Sequence, residues 1–168
     1  ADPVTIGPGR TPRAAVKAMI VRDGAILMNR SRVRGADGLE REIFDLPGGG
    51  HEFGETQEEA LRRECLEEIG ARVRVHGAAL VYEVRTWAPD RTHLTFQQVN
   101  VAFWAELEAG EEPGLGSAPD GAQVGTAWLP IRDLPSYEVH PEGVAAWLVS
   151  DPGSRPLGIG PFEIPPEF

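Results

Sequence analysis

The stretch LPGGGHEFGETQEEALRRECLEEIGA, residues 46–71, divides into a loop, a helix and a second loop. Pro47 lacks a backbone N–H, and Gly48, Gly49 and Gly50 bring no side chains to stabilise regular structure. This run is therefore expected to interrupt strand and helix alike. Gly54 is another permissive point. Thr56 is placed to cap a helix, with Glu59 three residues on completing a capping box. Good helix formers follow, and Gly70 supplies a stop, so the spacing predicts a helix from about Gln57 to Ile69. On it, Glu64, Glu67 and Glu68 stand at i, i+3 and i+4 and share one face. Like charges so close repel unless a cation lies between them, and hard carboxylate oxygens suit Mg2+ or Mn2+. A solvated acidic face is the plain alternative. The adjoining glycine run, whose backbone can approach a ligand closely, argues for the metal. Spacing alone leaves both readings open.

Residues 49–71 resemble the Nudix box, written G-x5-E-x7-R-E-U-x-E-E-x-G-U with U an apolar residue. Gly49, Glu55, Arg63, Glu64, Glu67, Glu68 and Gly70 occupy the fixed positions, and Cys65 and Ala71 fill the apolar ones. So many fixed residues at set spacing make a specific signal, although the box covers only about a seventh of the chain.

The resemblance implies an α/β (α+β) fold: an αβα sandwich, a mixed sheet between helices with a loop-helix-loop catalytic motif. It implies hydrolysis of the diphosphate linkage of a nucleoside diphosphate derivative or a nucleoside triphosphate, with Mg2+ or Mn2+ as cofactor. Glu64 and Glu68 are then direct metal ligands. Glu67 binds through water, or directly to a second ion, and the carbonyl of Gly48 completes the site. Glu55 and Arg63 pair to tie the loop to the helix. Gly49 and Gly50 lie beside the substrate. His51 and Glu52 read as loop residues at the mouth. Relatives often bring a further carboxylate from the loop before the last strand. Here that loop contains Asp120, which could serve as general base, and Gln123, which cannot. The base therefore stays open among Glu67, Asp120 and Glu52. A noncatalytic nucleotide-sensing or interaction module on the same fold is the alternative, though a pure binding module has no need of all the carboxylates.

The net charge of −10 argues against nonspecific nucleic-acid binding. A polyanionic small-molecule nucleotide must then be attracted locally, by metal and by arginines. A single cysteine excludes an internal disulfide, and Cys65 reads as a small apolar helix residue. No apolar run reaches the length of a membrane span, so a cytoplasmic protein is the default expectation, with a homodimer left open.

Working outward from the box, residues 1–13 read as an extended N-terminal segment, 14–150 as the catalytic domain and 151–168 as a proline-rich tail. Residues 14–21 and 25–29 form a hairpin across a turn at 22–24. Arg30, Arg32 and Arg34 follow in a loop, with Arg30 and Arg32 as candidates for a substrate phosphate. Residues 35–42 continue the loop, and 43–46 form a short strand. Strands are expected at 72–75, 78–86, 94–107 and 127–129, with a helix at 141–149. Within the long strand, apolar residues keep no strict period, so both faces are expected to be covered. Tyr82, Trp87, Phe96, Trp104 and Tyr137 are available to stack on a base. The tail carries five prolines and cannot be a helix, yet Leu157, Ile159, Phe162, Ile164 and Phe168 are apolar and evenly spread. It is expected to pack against its own domain or a neighbouring subunit.

Overall fold

The computed structural model describes residues 10–165. Its strands form one mixed sheet in the order β3-β2-β1-β6-β5-β8, with β4 added on β1 and β7 on β2. The strands are β1 (Arg13–Arg22), β2 (Ala25–Arg34), β3 (Glu40–Asp45), β4 (Gly48–Gly50), β5 (Val73–Trp87), β6 (Leu94–Leu107), β7 (Gln123–Pro130) and β8 (Gly158–Glu163). The helices are α1 (Gln57–Ile69) and α2 (Glu142–Val149). β1 runs parallel to β6, and β5 parallel to β8; the other pairings are antiparallel.

Each face of the sheet meets a helix, which gives the α+β sandwich. On one side Val16, Ala18 and Ile20 of β1 pack with Leu61, Cys65 and Ile69 of α1. On the other, Met19, Leu80 and Ala102 pack with Val144, Trp147 and Leu148 of α2. Because both faces of the central strands are covered, β6 loses the simple alternation of a half-exposed strand. Among the described residues no helix is long and apolar enough to cross a membrane.

Four local expectations are corrected. The glycine run does not leave the sheet: Gly48–Gly50 form β4, paired antiparallel with Ala15–Lys17. Their lack of side chains is what admits them, since a Cβ on Gly48 would lie 2.0 Å from the Val16 carbonyl oxygen. β2 does not stop at Asn29 but continues through Arg34, because β3 and β7 pair with its two edges. β3 likewise begins at Glu40, inside the stretch read as a loop. The break expected at His76 and Gly77 appears as a register shift in a continuous β5.

The tail is ordered as far as the described residues run; Phe168 lies outside them. Residues Gly158–Glu163 add β8 to the free edge of β5, and the Ile164 N–H donates to the Arg85 carbonyl (2.9 Å). Ile159, Phe162 and Ile164 pack on the α2-side core. Phe162 lies so close to α2 that a Cβ on Gly143 would fall 2.2 Å from its ring. Arg155 Nε donates to the Trp147 carbonyl (3.0 Å) and its Nη2 to that of Leu148 (2.7 Å). Those carbonyls at the end of α2 have no partner within the helix, and a cation there also suits the helix dipole.

Truncation after Ser150 therefore exposes a sheet edge, three packed side chains and the end of α2. At about 2–4 °C per kcal/mol for a domain of this size, the melting temperature is expected to fall by about 5–10 °C. A truncated protein that melts with the full chain in a calorimeter would overturn the docking of the tail.

Candidate active site

Helix α1 starts and stops where its sequence requires. The Thr56 hydroxyl accepts from the Glu59 N–H (3.1 Å), and Gly70 ends the helix at φ 64°. The carbonyls left at its C-terminus are met by the acidic loop at 108–121. The N–H groups of Gly114, Gly116 and Ala118 donate to the carbonyls of Ile69, Glu68 and Glu67 at 2.8–3.0 Å. That capping brings Ala118, Asp120 and Gln123 up against the carboxylates of α1.

Arg63 gathers the box. Its Nε and Nη2 donate to the two oxygens of Glu55 at 2.7 and 2.9 Å. Nη2 also reaches the Gly50 carbonyl (3.0 Å), and Nη1 reaches Glu64 (3.0 Å) and Glu67 (3.3 Å). The hydrogen bond from Arg63 holds the Glu55 carboxyl down at about 2, against the ordinary 4.5. In the loop, the His51 ring lies 2.7 Å from the Glu55 carbonyl, and the Glu52 N–H donates to the Glu55 carboxylate. Glu52 itself is exposed.

Glu68 turns the other way, into the interior, and is 3% exposed. Asn29 of β2 and the Gly48 N–H donate to its Oε1. Gln123 of β7 donates to Asn29 Oδ1 (3.2 Å) and to the Glu68 carbonyl (3.0 Å), stapling α1 to β2. Burial raises the Glu68 carboxyl, while the Lys17 charge works against it. Lys17 Nζ stands 4.0 Å from Asp45. Burial pushes Asp45 up to about 6, although the lysine opposes that shift. Burial alone would lower Lys17, but Asp45, Tyr82, Glu68 and Asp120 together raise it. Gly49 provides the floor, since a Cβ there would lie 2.5 Å from Glu64 Oε2.

Glu64, Glu67, Glu68, Gly48 and Gly49 thus line a single cavity of ≈ 840 Å³. Gly50 lies beside it, under Arg13. Among the described residues no three His, Cys, Asp or Glu side chains stand close enough together to hold a metal ion. Arg63 draws Glu64 and Glu67 to one side, and Asn29 draws Glu68 to the other. Arg30 and Arg32 do not belong to the cavity. On β2 they pair with Glu42 at 3.1 and 3.8 Å. Among the described residues, the Lys and Arg side chains that line it are on β1: Arg13 and Lys17. Spacing could not reveal them, although a lone lysine inside the apolar run Ala14–Val21 was a signal. Of the aromatic candidates, Tyr82 and Phe96 line the cavity. Trp104 stacks near Trp147, Trp87 donates to Glu163, and Tyr137 sits edge-on to Phe44. Cys65 is buried in the α1 core, and burial pushes its thiol up, as for an inert packing residue.

The profile of the NUDIX domain matches residues 11–148. The chain belongs to the NUDIX family. A Mycobacterium tuberculosis relative provisionally named 8-oxo-dGTP diphosphatase 3 is 30% identical, over 68% of this chain and 50% of its own. An ADP-ribose pyrophosphatase from Methanocaldococcus jannaschii is 33% identical, over 60% of this chain and 57% of its own. The crystal structure of a MutT NUDIX hydrolase from Burkholderia pseudomallei superposes with a TM-score of 0.59 at 30% identity, covering 84% of this chain and all of that one. This NUDIX chain spans about half the length of the curated relatives it matches.

The Glu55–Arg63 pair makes a pH prediction. Glu55 is depressed in the fold, so its stabilisation is complete above the ordinary 4.5 and disappears as the pH falls through about 2. The melting-temperature advantage of the native chain over Glu55→Gln is expected to be flat at pH 5–7 and to shrink as the pH drops below 4.5. An advantage that does not change with acid would mean that the pair contributes nothing to stability.

Proposed function

We propose that this NUDIX chain hydrolyses a phosphoric anhydride bond in a nucleoside diphosphate derivative or nucleoside triphosphate, using Mg2+ or Mn2+. The observation that carries this reading is the convergence of Glu64, Glu67, Glu68 and the glycines of β4 on one cavity of ≈ 840 Å³, a size suited to a nucleotide. The relatives named for 8-oxo-dGTP and ADP-ribose support the same class of bond.

In kind the donors suit a hard divalent ion; with Glu64 and Glu67 drawn to Arg63 and Glu68 to Asn29, the carboxylates would have to turn together to share one. The donors are carboxylate oxygens, and Glu64 rests on a glycine with no Cβ between it and the loop backbone. Glu64 and Glu68 would hold the ion directly, with Glu67 and the Gly48 carbonyl completing the set. Bound there, the ion neutralises phosphate charge and acidifies the attacking water. The chain's own part is alignment. Asn29 and the Gly48 N–H orient Glu68, and Arg63 orients Glu64 and Glu67. Asp120 lines the cavity and Glu52 does not, which favours Asp120 over Glu52 as acceptor of the water proton. The water oxygen bonds to phosphorus, the anhydride P–O bond breaks, and one side leaves as a phosphate or pyrophosphate anion.

The test is a screen of nucleoside diphosphate derivatives and triphosphates with Mg2+ and Mn2+, reading released phosphate after phosphatase coupling. Glu68→Gln keeps the shape and removes the charge, so kcat is expected to fall by about a hundredfold or more with the fold retained. Full turnover in this variant at saturating Mg2+ would remove Glu68 from the site. Retained ligand binding with no turnover of any substrate by the native chain would favour a noncatalytic module. The ion also binds the folded cluster and hardly the unfolded chain, so millimolar Mg2+ is expected to raise the melting temperature of the native protein. A melt indifferent to both ions would count against the metal site.

A further inference from the structure

Carboxylates outnumber cations in the cavity. Glu64, Glu67, Glu68, Asp45 and Asp120 line it, and β1 contributes Arg13 and Lys17. Positions 13 and 17 lie on one face of that strand, since side chains alternate. The two cations are nevertheless used differently. Lys17 is largely buried, 4.0 Å from Asp45, and its charge answers the chain's own acids. Arg13 is exposed at the mouth, and among the described residues no carboxylate pairs with it.

A ladder of neutral amides holds Arg13 in place. Asn100 Nδ2 donates to the Tyr82 carbonyl (3.3 Å), which leaves Asn100 Oδ1 to accept from Gln98 Nε2 (2.7 Å). That fixes Gln98 with its Oε1 toward Arg13, whose Nη1 donates to it (3.3 Å). Gln98 and Asn100 are 6% and 1% exposed, beside Leu80, Tyr82, Val84 and Ala102. Buried amides in such surroundings are costly unless bonded, and here their bonds end on the guanidinium. The rest of that group lies against Gly50. A Cβ there would fall 2.4 Å from Nη2 and 2.9 Å from Nε, so Gly50 keeps the space that Arg13 fills.

We propose that Arg13 is an anion-binding side chain of the cavity, clamping a substrate phosphate oxygen beside the glycine loop, with Gln98 as its positioning residue. This rests on the nucleotide-hydrolase reading above. A guanidinium suits the task because its planar fork donates along two directions at once to a phosphate. A chain of net charge −10 repels a polyanion at long range, so capture needs a local cation that is not already neutralised.

Calorimetric titration with inorganic pyrophosphate and with α,β-methylene-ADP, both with Mg2+, tests this without turnover. Arg13→Gln is expected to weaken both by about tenfold to a hundredfold, the usual effect of a hydrogen bond to a charged group. Arg13→Lys recovers part of that loss, and Gly50→Ala, which displaces the guanidinium, weakens binding in the same direction. Arg74→Gln, far out on β5, removes the same charge and leaves affinity unchanged. With a turned-over substrate, Arg13→Gln raises KM while kcat stays within about threefold. Native protein that binds the probes while Arg13→Gln binds them equally well overturns the proposal alone. A loss confined to kcat also overturns it. Native protein that binds neither probe overturns the nucleotide reading and this proposal with it. Should Arg13→Gln fail to fold, Arg13→Lys and Gly50→Ala decide the matter.

Discussion

One guanidinium holds the box together. Arg63 reaches Glu55, the Gly50 carbonyl, Glu64 and Glu67 at 2.7–3.3 Å. Without it Glu64 and Glu67 would stand one helical turn apart as bare like charges, a destabilising arrangement. The same side chain ties the loop to the helix through Glu55 and fastens the end of β4 through Gly50. β4 in turn lies on β1, the strand that carries Arg13 and Lys17. Glu55, Glu64, Glu67 and the end of β4 are thus placed by one residue whose planar fork can serve several acceptors at once. A lysine at position 63 would keep the charge and lose that geometry.

The buried side of the site solves a harder problem. A carboxylate taken out of water is expensive unless it is bonded and its charge answered. Glu68 receives two donors, Asn29 and the Gly48 N–H, and Lys17 supplies the opposing charge. Asp45, raised to about 6 by burial, shares that lysine. Asn29 can donate to Glu68 because Gln123 satisfies its oxygen, so β2, β7 and α1 are locked in one register by side-chain amides. A glutamine at 123 holds Glu68 in place, a task for which a carboxylate beside the Glu68 carbonyl would be unfit. The acid that lines the cavity from this loop is Asp120 instead.

What was legible in the sequence was local. Thr56, Glu59 and Gly70 fix the ends of α1 through bonds within a few residues, and the i, i+3, i+4 spacing follows from the helix alone. The glycines of β4 were misread because a rule about what glycine breaks says nothing of a neighbour that leaves no room for a Cβ, as the Val16 carbonyl does at Gly48. Arg30 and Arg32 were misread for a related reason. Whether β2 ends at Asn29 depends on β3 and β7, and β7 starts at Gln123, far along the chain. Arg13, Lys17, Asp45 and Asn29 carry no spacing signature, because three separate strands bring them to the cavity.

The tail shows the same dependence on long-range pairing. The NUDIX match ends at residue 148, and β8 begins ten residues later, at Gly158. A proline-rich segment can occupy that place because β8 is an edge strand, where a missing N–H need not break a ladder. Its parallel pairing with β5 carries the chain past Val84 and Arg85, and Ile164 then closes the cavity wall beside Thr86 and Phe96. Arg155, donating to the last carbonyls of α2, sets where that run starts. The wall at this end of the cavity is therefore made jointly by the family domain and by a segment outside it. Two sequences with the same box can share the carboxylates and glycines that face the phosphates and still present different surfaces to the rest of a ligand.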